Sequence, residues 1–456
     1  MSATHIMANG VLITGGETVS VLDDGAVAWQ NDRVLETGTG AELKGRYPEA
    51  RILDARGGLI LPGLINTHHH FYSALARGLN PGEPMDSFPE VLDRLWWRLD
   101  RALDPDSIKI SALLSASECI RWGCTTVFDH HASPNHIEGS LDLIAEALEA
   151  AGISGALCYE VTDRNGHEGA LDGIEENLRF FRGRQDDPRI KGVFGIHASF
   201  TVRDETLDLI ARNRPREAGC HIHLAEDPVD TSASREAFGV GPVERLVNAG
   251  LLDDRALLAH GIHLHEADYR AVAEAGGTII HNPESNANNG VGQLDVPYVS
   301  SLGCRVGLGT DGMSSGVLRA LRFALLSLRA SKGHPSSGFR ALPSLLSQNT
   351  TVARAFFEEP LLGKLTPGAP ADIIAVDSPP PTPLSPENLF GHLTYGASEA
   401  PVRHTVARGK ILLEDFEYTT LNPRTLADEA RSLTPALWQR FHAQTTGTLF
   451  LGPSTP

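Results

Sequence analysis

Along the 456 residues the rhythm of apolar positions changes twice. Up to residue 58 they alternate with polar ones in short runs, 6–13, 19–22, 25–30, 33–38 and 51–54, punctuated by Gly, Asp and Asn, which predicts a small unit of short strands. From residue 59 brief apolar runs are separated by stretches with apolar residues near 3.6 spacing, the alternation that βα units produce. Eight runs read as strands: 59–70, 125–130, 154–160, 192–197, 219–224, 256–260, 278–281 and 305–311. Helices are predicted between them over 141–151, 171–182, 206–212, 243–249 and 266–275. Eight strands with intervening helices predict an α/β fold of the (β/α)8 TIM-barrel type. Strand-like patterning returns at 371–376 and 402–414 around a Pro-rich linker, 378–386, and these strands are expected to join the N-terminal ones. A last helix, 423–444, leads into a Gly, Ser and Pro tail. The expected organisation is 1–58 and 363–420 as two parts of one β unit, 59–362 as the barrel, and 421–456 as a terminal helix and tail.

Composition narrows the partners. Hydrophobic residues at 41% and charged residues at 21% describe a globular chain, and 57 acidic against 39 basic residues leave a net charge of −18. Such a surface repels phosphate backbones and anionic lipid, so neither nucleic acid nor membrane is expected as a partner. No apolar run approaches the ~20 residues that span a bilayer, and the N-terminus lacks the basic start and apolar core of a signal peptide. Five cysteines, an odd number without C-x-x-C spacing, fit a reduced, cytoplasmic setting.

The chemistry lies at the strand ends. Most candidate strands finish on or beside a histidine and the eighth finishes on Asp311, and the C-terminal strand ends are where barrels of this class build their sites. His68 and His70, at i and i+2 on a strand, share one face and form a natural pair of metal ligands. His221 and His223 repeat the spacing; His223 would ligate, and Glu226, three residues on, would move the proton of an activated water. His260 is positioned to polarise an electrophilic carbon's substituent, and Asp311 supplies a carboxylate ligand and second proton acceptor. Strand four ends on His197, a candidate substrate contact, and carries its lysine, Lys191, only at its start, which disfavours a carbamylated-lysine bridge and favours a single metal. The H-x-E with P-C-x-x-C signature of zinc nucleobase deaminases is missing. Trp97 could cover a flat heterocycle, His131 could contact substrate, and Asn286 could hydrogen-bond a ring, each competing with an ordinary packing or turn role; Glu160 and Arg164 are further candidates to reach a pocket.

The segments PGLINTHHHFYSALARG (62–78), HIHLAE (221–226), LLAHGIH (257–263), HNPESNANN (281–289) and GLGTDG (307–312) together resemble the amidohydrolase superfamily over nearly the whole chain. The branch they resemble is that of metal-dependent aminohydrolases and chlorohydrolases, guanine deaminase-like, and residues 92–103, 129–142 and 158–166 are most similar to its SsnA group. The resemblance implies a TIM barrel with a small β-sandwich formed from the N- and C-terminal segments. It implies one divalent metal ion, zinc or else iron(II), on His68, His70, His223 and Asp311, with Glu226, His260 and Asp311 catalytic. It also implies a small heterocyclic substrate (a purine, pyrimidine, pterin or triazine-like ring) deaminated with release of ammonia, and self-association as a dimer or larger. Ring opening of a cyclic amide or amidine, or loss of halide or alkylamine, would use the same site.

Overall fold

The computed structural model describes residues 3–16 and 19–446; the predicted tail beyond 446 lies outside the described residues. The run predicted as one strand over 59–70 is two strands: Leu59–Pro62 turns away into a separate sheet and Leu64–His69 opens the barrel. Gly63 marks the break, where a Cβ would stand 2.2 Å from Thr125 Oγ1, closer than any side chain tolerates.

Leu64–His69, Cys124–His131, Ser154–Tyr159 and Ile190–Gly192 form one parallel ladder. Gly195–Ala198, Cys220–Leu224, Ala256–His260, Thr278–His281 and Arg305–Leu308 form another. The predicted fourth strand is thus split, its two pieces lying in different ladders. Single parallel bridges join the ladders at both seams, Val161 to Ile196 and His69 to Asp311. Between the strands run the helices Ser140–Ala151, Gly166–Gly183, Asp204–Asn213, Pro242–Asn248 and Glu266–Ala275, which bury their apolar stripes. The chain has the TIM-barrel fold. Asn349, on helix Ser344–Phe357, fastens the seam between first and last strands: its Oδ1 accepts from Leu308 N at 2.7 Å and its Nδ2 donates to Ile65 O at 2.8 Å.

The terminal segments share one nine-stranded sheet among the described residues. Ile373–Val376 pairs antiparallel with Leu59–Pro62, which runs parallel to Thr4–Ile13. The sheet curls over Met7, Leu12, Leu53, Ile60, Ile373 and Val406 far enough for Trp29 Nε1 to donate to Gly409 O at 3.1 Å. The two predicted runs at 19–22 and 25–30 are one strand, Val21–Gln30, and 402–414 is a hairpin of Val402–Ala407 and Lys410–Glu414. The last helix, Pro423–Ala443, returns to the barrel mouth, where Trp438 Nε1 donates to Leu75 O and Arg440 Nε to Ala102 O. No described helix is long and apolar enough to cross a membrane.

Candidate metal centre and active-site cleft

Parallel strands aim their last side chains into the barrel mouth, and here those side chains are imidazoles and carboxylates that lie almost fully out of water. His70 donates from Nδ1 to His130 O at 2.6 Å, and His223 donates from Nδ1 to His197 O at 2.9 Å. Each bond fixes a tautomer whose Nε2 carries a lone pair, and these two nitrogens face each other at 3.1 Å. Two acceptors at that distance repel unless a cation or proton lies between them. His68 Nδ1 stands 2.9 Å from His221 Nε2, while His68 Nε2 is buried without a hydrogen-bond partner. The Asp311 carboxylate completes the group, 3.1 Å from His70 Nε2 and 3.7 Å from His68 Nε2. Potential ligand atoms of His68, His70 and His223 lie within 4.8 Å of one another, as do those of His68, His260 and Asp311. Three imidazole nitrogens and one carboxylate, oriented by backbone carbonyls and a further imidazole, fit a mononuclear divalent ion.

His260 Nε2 lies between two carboxylates, 3.4 Å from Glu226 and 3.6 Å from Asp311, and its Nδ1 donates to Asn286 Oδ1 at 2.8 Å. Burial, and behind it the Asp311 charge, pushes the Glu226 carboxyl up to about 7 against the pull of His260. Burial also works against ionisation of Asp311, yet with a proton in place on His70 Nε2 the hydrogen bond and charge of that ring hold it well below the usual carboxylate range. Two neighbouring carboxyls with proton affinities driven apart are an acid and a base in one site. The backbone is strained where it delivers them: Ala225, His260 and Asp311 have φ of 45°, 74° and 53°, the left-handed region that side chains with a Cβ avoid.

A cleft opens above this floor, lined by His70, His223, Glu226 and Asp311 below. The helical run Phe88–Val91, Leu92–Trp96 and Trp97–Ala102, with a π turn in the middle, forms one wall and presents Trp96, Trp97 and Asp100. Arg164 bridges that run to the barrel, 3.1 Å from Asp100 and 2.9 Å from Glu160, and stacks on Trp97 with its Cζ 4.7 Å from the ring centroid. Glu160 also stands 3.3 Å from His130 Nδ1. Potential ligand atoms of Glu160, His197 and His223 come within 4.8 Å, but both Glu160 oxygens are already engaged, which suits a hydrogen-bonded wall better than a second ion.

The predicted residues therefore separate into groups. His68, His70, His223, Asp311, Glu226 and His260 converge, and His197 and Trp97 line the cleft. Asn286 sits behind His260 as its hydrogen-bond acceptor, and His131 turns to Ser133 Oγ at 2.9 Å; neither lines the cleft. Asp100 and Asp230 escaped the sequence reading. Asp230 accepts from Ala225 N at 2.7 Å and Phe200 N at 3.2 Å, clamping the strained turn that carries Glu226, but in sequence it is one more acid in the first turn of helix Pro228–Phe238.

The profile of the amidohydrolase family matches residues 59–412. The chain is 30% identical over 440 residues to the 5-methylthioadenosine/S-adenosylhomocysteine deaminase of Pelotomaculum thermopropionicum, covering 93% of this chain and 98% of that one. It is 29% identical over 451 residues to the 5'-deoxyadenosine deaminase of Methanosarcina mazei, covering 97% and 100%. Among solved structures, an adenosine deaminase from Xanthomonas campestris with bound zinc superposes with a TM-score of 0.82 at 21% identity, covering 97% and 99%, a likeness of fold.

Proposed function

The chain belongs to the amidohydrolase family, and on that premise we propose that it is a metal-dependent hydrolase that deaminates an amino-substituted nitrogen heterocycle, consuming water and releasing ammonia. The observation that carries this reading is the pair of Nε2 lone pairs of His70 and His223 facing each other beside Asp311, with a carboxyl poised near neutrality at Glu226. His68, His70, His223 and Asp311 would hold one divalent ion; borderline nitrogen donors with one carboxylate favour zinc, with iron(II) as the other candidate. Such an ion, when bound, lowers the pKa of water and supplies a nucleophile at neutral pH.

The protein's own groups move the protons. Asp311, ionised, accepts a proton from the attacking water. Glu226, pushed up to about 7 and so partly protonated at neutral pH, hands its proton to the ring nitrogen beside the carbon under attack. The proton Asp311 took from the water passes to the departing amine, which leaves as ammonia, and the adduct's hydroxyl proton returns to Glu226 as the carbonyl forms. His260, fixed by Asn286, is placed to steady the new oxygen on that carbon. The adenosine-type substrates named for the relatives support a 6-aminopurine nucleoside as the first class to try. The acidic surface argues against nucleic acid, the five free buried cysteines suit a reducing cytoplasm, and a homo-oligomer rests on family resemblance.

The test is ammonia release with product mass by zinc-loaded protein, across 5'-deoxyadenosine, 5'-methylthioadenosine, S-adenosylhomocysteine, guanine, pterins and aminotriazines. Exchange of NH for O in the product is expected. Water gained with no ammonia lost would make the enzyme a ring-opening hydrolase, and metal-loaded protein inert toward the whole panel would overturn the reading.

A further inference from the structure

The wall of the cleft that Trp97 and Asp100 build contains two polar atoms that nothing in the protein satisfies. Trp97 Nε1 and Asp100 Oδ1 are both buried without a hydrogen-bond partner, on residues 2% and 1% exposed that line the cleft. They stand three residues apart on one helix, hence on one face. A buried indole N–H and a buried carboxylate oxygen left unpaired both weigh against folding, a cost that disappears if a ligand supplies the partner. The other carboxylates lining the cleft are engaged. Glu160 meets Arg164 and His130, Asp230 meets two backbone N–H groups, Asp227 caps its helix through Val229 N, and Glu226 and Asp311 belong to the floor. Among the described residues no Lys or Arg lines the cleft, and Arg164 faces Asp100, Glu160 and the Trp97 ring.

We propose that Trp97 Nε1 and Asp100 Oδ1 form a specificity subsite that binds a neighbouring acceptor and donor on an uncharged or cationic substrate, away from the reacting amine, and that the acidic cleft rejects phosphorylated substrates. This deepens the deaminase reading and rests on it. Trp97 donates to a ring nitrogen or carbonyl, and Asp100 accepts from an N–H or O–H beside it. Arg164, held on the far oxygen of Asp100, is a positioning residue that fixes which oxygen faces the ligand.

The subsite predicts the behaviour of conservative variants. In Asp100→Asn the amide must turn its oxygen to Arg164, so its NH2 faces the cleft and an acceptor becomes a donor. Trp97→Phe keeps an aromatic ring and deletes only the N–H. Binding of adenosine, 5'-amino-5'-deoxyadenosine, AMP, pterin and an aminotriazine is measured calorimetrically on zinc-loaded Glu226→Gln protein, so that turnover is not needed. For the probe bound best, each second substitution is expected to raise Kd about 10- to 100-fold. AMP is expected to bind at least tenfold more weakly than adenosine. In otherwise wild-type protein the loss should fall mainly in KM, whereas a merely structural role would lower kcat or thermal stability instead. Unchanged Kd in both double variants, AMP binding as tightly as adenosine, or no binding by any probe would each overturn the subsite. Tight binding that responds to both substitutions, without ammonia release by the wild-type enzyme, would uphold the subsite and remove the deaminase reading.

Discussion

The floor and the wall of the cleft are built from the same pieces and put to different ends. Each pairs two buried carboxyls, one held ionised and one pushed up: Asp311 low and Glu226 near 7 on the floor, Glu160 low and Asp100 near 6 on the wall. Burial drives both raised values, and the difference lies in the counter-charges. The wall has Arg164, a permanent cation that balances the charge of its two acids from within the protein while leaving Asp100 Oδ1 without a hydrogen bond. The floor has imidazoles whose Nδ1 protons are spent on backbone carbonyls, so its Nε2 lone pairs need a cation from outside. A charge supplied by the sequence makes a fixed binding surface; a charge the sequence withholds makes a place for a metal.

The largest expected effect falls on the floor. Glu226→Gln should lower kcat about 10³-fold while metal content by atomic absorption stays at one ion per chain; wild-type turnover in that variant would remove Glu226 from the proton path. On the wall, Arg164→Leu leaves two buried carboxyls without their counter-charge and should cost about 3–5 kcal/mol in urea unfolding, with no loss of metal. If metal content falls instead, floor and wall are one unit and the comparison breaks. Chelation acts on the floor alone: stripping the ion from protein loaded at a hundred times its Kd should remove about 2.7 kcal/mol of stability, read as a lower Tm that Arg164→Leu does not abolish.

The remaining effect is a pH slope. A carboxyl raised in the folded state stabilises the fold below its unfolded value and loses that contribution as pH climbs through the folded one, here from 3.8 to about 6 for Asp100. Asp100→Asn should therefore gain stability relative to wild type across that interval and run parallel to it above. A difference that does not change between pH 4 and pH 7 would show that Asp100 is not raised.

The floor was legible in the sequence because its signals are local. His-x-His at strand spacing and a carboxylate in GLGTDG declare themselves within a few residues, and the strand count told where they meet. The wall was legible only in part: Trp97, Glu160 and Arg164 stood out as candidates, but Asp100 reads as the polar face of an amphipathic helix until the fold brings it to Arg164, 64 positions on. The left-handed backbone at His260 and Asp311 could have been suspected from the glycines that follow each, Gly261 and Gly312, which ease tight turns at both strand ends. The breaks at Gly63 and at 193–194 were invisible to periodicity, since apolar residues continue through them and only pairing partners change. Asn349 gave no signal, being one polar residue on a helix whose role depends on two strands far upstream.

That asparagine also sets a timetable. Asn66 bonds Thr310 across 244 residues, and Asn349 reaches back 284 to Ile65. A ribosome adding 5–20 residues per second needs roughly 12 to 50 s to cover the first of those spans, and throughout it the first histidine pair hangs on a nascent chain with no strand eight to meet. A centre that needs both ends of the barrel would therefore fill only after the last strand has docked, and the ions then free in the cell would compete for it on equal terms with the preference of its donor set.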